Sequence, residues 1–412
     1  MNLPTQLLER RVRRSASAVR ALLLAACAAL AASCGGGVDS GGTGAPVSSY
    51  ASGPITGFGS VIVNGVRFDD RSATVRDGDG NARNRDELRL GMSTDVRGTA
   101  IVADSTGASI STATSIVFAS EIVGRLTSND LAARRLVVLA QGVDIAATTV
   151  FDDALVGGQA ALAAGDTIEV HGHVDAATGR YAATRIERKT GVATYVLRGI
   201  VWNLDAAAKS FSIGAVRISY TSLAANAVPA TLANGQFVRA VLALAAGPGG
   251  TLVALRLGDG TPSVDDREEA RVRGLVSAFA SSTSFSVNGT PVDARNAQFP
   301  RGSAGLALGV RVEVEGATTG GVLVATRVTL LIDGGGGGGG GDDELDVSGL
   351  ITSLDTVGRN FVVRGVTVGY SGTVDFRNGT AADLAIGREV EARGTLSADG
   401  TRLQATRIDI HR

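Results

Sequence analysis

LALGVRVEVEG, residues 306–316, carries a strand-type alternation between two glycines. Val312 and Val314 alternate with Arg311, Glu313 and Glu315, the period of two that puts apolar side chains on one face of a strand and charged ones on the other. Gly309 opens the strand and Gly316 closes it. The same frame returns as LRLGMSTDVRG (88–98), LAAGDTIEVHG (162–172) and LAIGREVEARG (384–394). A divergent copy keeps Leu232, Gly235 and Val238 but carries Leu242 in place of the final glycine.

Working outward, each block is preceded by a glycine that starts an apolar strand: GPIT at Gly53, GRLT at Gly124, GIVW at Gly199, GLVS at Gly274 and GLIT at Gly349, at spacings of 71, 75, 75 and 75 residues. A second short strand follows, such as FSVNG ending at Gly289 or FVVRG ending at Gly365, and a last strand closes the unit as AATRIER, VALRLGD, VATRVTL or QATRIDI, with STATSIV in the first copy. Asp-Gly turns such as Asp399-Gly400 join the last two strands as hairpins. A lone sheet of this size would expose an apolar face and two edges, so closure is expected. The predicted fold is all-β: a tandem array of five small antiparallel five-stranded barrels of OB-like size, with a helical signal peptide at the N-terminus.

The expected boundaries are a signal peptide over 1–33, a Gly/Ser tether over 34–52, and repeats over 53–118, 121–188, 197–257, 271–332 and 346–410. Linkers fall at 258–270 and 333–345. The last linker contains eight glycines, Gly334 to Gly341, and reads as a flexible coil spanning on the order of 15 Å.

The G-(L/I)-(I/V)-(T/S) start, the F-x-V-x-G strand, the G-x-x-V-x-V-x-G block and the A-T-R-(I/V) ending together resemble the bacterial domain-of-unknown-function 5666 family. The resemblance covers nearly all of residues 53–410 and is clearest in repeats two, four and five. It implies a fold and no active site, because its shared positions are glycines and core residues.

The N-terminus carries an address. Arg10, Arg11, Arg13, Arg14 and Arg20 precede ALLLAACAALAA (21–32), an apolar run too short to span a bilayer and suited to a signal-peptide core. The stretch resembles a lipoprotein signal, whose lipobox ends at a cysteine that is diacylated and becomes the new N-terminus. LAAC ending at Cys27 matches the box better by letter, but it leaves only residues 21–26 as core, short of the roughly 7–15 such cores have. Cys34, at the end of AASC, is therefore the expected lipid attachment site, with a plain signal peptide or an uncleaved anchor as the alternative. Gly35 rather than Asp follows it, which in lipoproteins of this kind favours the outer membrane.

Composition excludes several chemistries. Cys27 and Cys34 are the only cysteines, so the body past residue 34 holds no disulfide, thiolate metal site or cysteine nucleophile. The net charge is −1, and removal of residues 1–33, with five arginines and one glutamate, leaves the rest more acidic, which argues against nucleic acid. With three histidines in all, no triad recurs per repeat, and no G-x-S-x-G, P-loop or helix-opening G-x-G-x-x-G occurs.

Four features carry residue types that could form a site. Glu169, His171 and His173 form E-x-H-x-H, which on an undistorted strand places ligand-type side chains on one face. The position of His171 is Arg97, Val241, Glu315 or Arg393 in the other copies, so a surface location is favoured, and Gly172 is a candidate bulge. Asp77, Asp79 and Asn81 echo a calcium loop but have Ala82 and Leu88 where Gly and Glu are required, so a polar hairpin loop is favoured. Arg185, Arg256, Arg327 and Arg407 recur in the closing strand, and pairing with Glu169, Glu313 and Glu391 across the hairpin is favoured over an acidic glycan. Phe211, Phe285 and Phe361 read as core rather than as a stacking platform.

The functional expectation is a lipid-anchored cell-envelope protein at the outer membrane, non-enzymatic and without cofactor, serving as a binding or spacer module toward an envelope protein or glycan. A metal- or acidic-glycan-binding role is second, and an envelope enzyme is third.

Overall fold

The computed structural model describes residues 47–262, 264–331 and 344–411. The expected signal peptide over 1–33 and the lipid site at Cys34 lie outside them. The described residues are all-β, their only helical elements being single 3-10 turns.

Repeat four shows the plan. Its strands are Arg267–Ser281, Ser284–Val287, Thr290–Asp293, Arg311–Thr319 and Val322–Leu330. The first pairs with the second, the second with the third, the fourth with the fifth, and the fourth with the first, all antiparallel. The third and fifth then pair in parallel, Val292 opposite Leu323, closing a five-stranded barrel in the order 1-2-3-5-4-1 of an OB-type fold. The same parallel contact closes the other four barrels, so the expected antiparallel unit has one parallel seam. Val312 and Val314 are fully buried inside, as their alternation requires.

Two recurrent glycines have a steric cause. In each barrel the fourth strand bulges against the fifth, between Arg97 and Gly98, His171 and Gly172, Val241 and Leu242, Glu315 and Gly316, and Arg393 and Gly394. At Gly172, Gly316 and Gly394 an added Cβ would collide with the carbonyl oxygens of Ala182, Val324 and Gln404, so the partner strand approaches too closely for any side chain. The glycine of the first strand answers to the tip of the next hairpin: Asn64 folds over Gly53, Leu139 over Gly124 and Asn288 over Gly274.

The strands reach further than the motif boundaries. Strand begins at Ser48, inside the expected tether 34–52, and Arg267–Ser281 takes up the end of the expected linker 258–270. These extensions exist because the barrels pair with one another. Ser49–Ser52 runs parallel to Glu269–Val272, joining repeats one and four. Gly57 and Phe58 pair with Asp346 and Val347, joining one and five, and Val196 and Leu197 pair with Val123 and Ile122, joining three and two. One core cluster spans repeats one and five, another spans two and three, and Tyr50 of repeat one inserts into that of repeat four. Residues 46–412 thus form one compact unit.

Candidate functional site at the barrel junction

Because the barrels dock, faces that alternation assigns to water are covered. His171 is fully buried and His173 is 7% exposed, which corrects the expectation of surface histidines: neighbouring repeats cover the outer face of this strand. The bulge at Gly172 separates the two rings. His171 Nδ1 lies 3.1 Å from the Ala119 carbonyl oxygen and its Nε2 is 3.7 Å from Glu169. Burial lowers its pKa against the pull of Glu169 and Glu187. His173 answers instead to arginines: burial first, then Arg311, Arg198 and Arg273, bring its pKa down to about 3. Glu169 is held at 2.8 Å by Lys189, which also bonds Glu187 at 2.7 Å. No group of three His, Cys, Asp or Glu side chains converges on a metal position among the described residues.

The acidic loop is occupied in a different way. Asp77 accepts hydrogen bonds from the backbone N–H groups of Asp79 and Asn81 and from Arg83, within a hairpin of Thr74–Asp77 and Ala82–Arg83. Asp79 pairs with Arg239 and Arg256 of repeat three. Asp346, at the start of the fifth repeat, pairs with Arg67 and Arg393.

The arginine row does not pair across the hairpin as expected. The register set by the bulge places Arg185, Arg327 and Arg407 opposite His171, Glu315 and Arg393 rather than opposite Glu169, Glu313 and Glu391. Arg185, 3% exposed, bonds Glu187 of its own strand, Asp152 and the Leu90 carbonyl of repeat one. Arg256 docks on Asp79, Arg407 bonds Asp409, and Arg327 is exposed. Phe211, Phe285 and Phe361 are buried core residues.

Two constellations escaped sequence reading. Arg198 Nη1 bonds Glu121 at 2.8 Å with both side chains nearly buried, while its other nitrogens donate to the carbonyls of Gly260 and Asn288 and its guanidinium lies 4.7 Å from the Phe237 ring centroid. One side chain thereby bolts repeats two, three and four together. The second is a cavity of about 250 Å³ where repeats one, two, four and five meet, lined by Ile55, Val150, His173, Arg273, Arg311 and Leu396 among others. The one sequence signal was the arginine before the first-strand glycine, in RGIV and RGLV, which only repeats three and four carry.

The model of a domain of unknown function, DUF5666, matches residues 123–187, 273–329 and 348–409. Three segments of the chain thus match DUF5666, consistent with a repeated architecture. Each DUF5666 match covers most of one closed barrel, the second, fourth or fifth, and repeats one and three share the topology outside the matched segments. No curated protein matches the chain.

Proposed function

We propose that the chain is an exported lipoprotein of the cell envelope, anchored at the outer membrane by lipid on Cys34, with a barrel body that binds a partner and does not catalyse. The observation that carries the anchoring is the order of parts: an arginine-rich leader, the apolar run 21–32, AASC ending at Cys34, a Gly/Ser stretch, and no later cysteine. A binding body is favoured over a spacer because the barrels spend their outer faces on one another, which shortens their reach and builds clefts between them. The acidic-glycan alternative loses support because its arginines do not form one surface row: Arg185 is buried, Arg256 docks on Asp79 of repeat one and Arg407 is half-buried.

Metabolic labelling with a palmitate analogue tests the anchor. The full chain and its Cys27→Ser variant are expected to incorporate label and fractionate with the outer membrane. Cys34→Ser is expected to lose the label and accumulate unprocessed. Label that persists in Cys34→Ser and vanishes in Cys27→Ser would refute the assignment.

A further inference from the structure

We infer that the cavity at the junction of repeats one, two, four and five binds a small organic anion with an apolar body, its acid group held by Arg273 and Arg311 beside His173. This gives a ligand class to the binding body proposed above and rests on that reading.

Three observations converge on it. The cavity of about 250 Å³ lies just below the usual span of ligand pockets, about 300 to 1,000 Å³, which limits it to a small ligand, and its walls are mainly apolar, with Ile55, Val150, Leu345 and Leu396 among the lining. Its charged lining is of one sign: Arg273 and Arg311 are present and no carboxylate lines it. Each guanidinium has five N–H donors, so a side chain that already has a partner retains donors for another acceptor.

The third observation is His173. It lines the cavity, is 7% exposed, and no hydrogen bond to its ring occurs among the described residues. The charges acting on it are all arginines, Arg311, Arg198 and Arg273, which with burial keep the ring neutral. A neutral imidazole offers one donor and one acceptor to a molecule in the cavity. A carboxylate between the arginines accepts its N–H while the ring stays neutral. The exposed segment Ala147 and Thr148 forms the mouth, where the strand Gln141–Phe151 breaks its pairing register between Ile145 and Val150.

The experiment is calorimetric titration of the full chain in detergent with 3-phenylpropanoate, its neutral analogue 3-phenylpropan-1-ol, and inorganic phosphate. Saturable binding of one carboxylate per chain is expected, with the alcohol and phosphate each at least tenfold weaker. Arg311→Gln is expected to weaken the carboxylate at least tenfold. Ala147→Phe, a change at an exposed mouth residue that fills the cavity without touching a core, is expected to do the same with an unchanged melting temperature, so the test survives even if the arginine variant misfolds. Absence of saturable carboxylate binding, binding indifferent to Ala147→Phe, or equal affinity for the alcohol or for phosphate would overturn the inference. None of these outcomes depends on where the lipid is attached, so failure here and failure of the anchor are separate results.

Discussion

At the scale of the residue, shared letters between repeats have steric reasons and unshared ones have electrostatic reasons. Gly394 leaves no room for a Cβ against the Gln404 carbonyl, whereas Gly258 has nothing within 4 Å of that position. Gly394→Ala should therefore cost about 1–3 kcal/mol, as overpacking does, and Gly258→Ala should be near neutral, measured by chemical denaturation of both variants. His173 gives a second prediction. Its pKa is lowered from 6.5 to about 3 on folding, so between those values the unfolded chain binds the extra proton and stability drops as pH falls, by up to about 1.4 kcal/mol per pH unit. Asp346 works in the opposite sense: burial, with Glu391 beside it, pushes it up to about 6 against Arg67 and Arg393, so its folded form gains relative stability on acidification below that pH. The measurement that isolates the histidine is the difference between wild type and His173→Gln from pH 7 to 4. A difference that stays constant with pH would contradict the assignment.

At the scale of the element, the hairpin between second and third strands sets the barrel's tightest turn. Asn64-Gly65, Asn288-Gly289 and Arg364-Gly365 each place both residues at positive φ, the two-residue turn whose twist matches a hairpin. Repeat two makes the same turn with Leu139 at φ 46° and Ala140 at φ 56°. Leu139 is retained for its packing over Gly124, but Ala140 is exposed and gains nothing from its Cβ. Ala140→Gly should stabilise repeat two by about 0.5–1 kcal/mol, read as a raised denaturation midpoint at unchanged slope. The bulge is the other element-scale device. It was legible at Gly172 as a glycine inside an alternating strand, yet its consequence, two histidines sent to different surroundings, followed from a register that the alternation does not encode.

At the scale of the molecule, buried charge marks where barrels meet. Arg198 and Glu121 are both under a tenth exposed and bonded to each other. Removing either alone strands a charge in a poor solvent for it, at a cost of about 3–5 kcal/mol, whereas removing both leaves only backbone carbonyls to re-satisfy. The double variant Glu121→Gln, Arg198→Met should be more stable than the sum of the single variants implies, by at least about 1 kcal/mol in a double-mutant cycle. Additive losses would show that the pair contributes no coupling across the junction. Repeats one and five offer a parallel case, with Arg364 bonding Asp70 at 2.9 Å and lying over the Phe58 ring.

The strands, their inward faces, the turn and bulge glycines, the repeats and the closed all-β units are legible in the sequence, because each depends on residues within one repeat, where alternation and backbone sterics act. Which outward side chains stay wet depends on how the barrels dock. Arg67 meets Asp346, and Asn64 donates to the Arg271 carbonyl, across more than two hundred residues with no periodicity to announce them. An outward position on a strand reads the same whether water or another barrel covers it. That is why nothing in the sequence joins His173, Arg273 and Arg311, which docking gathers around one cavity.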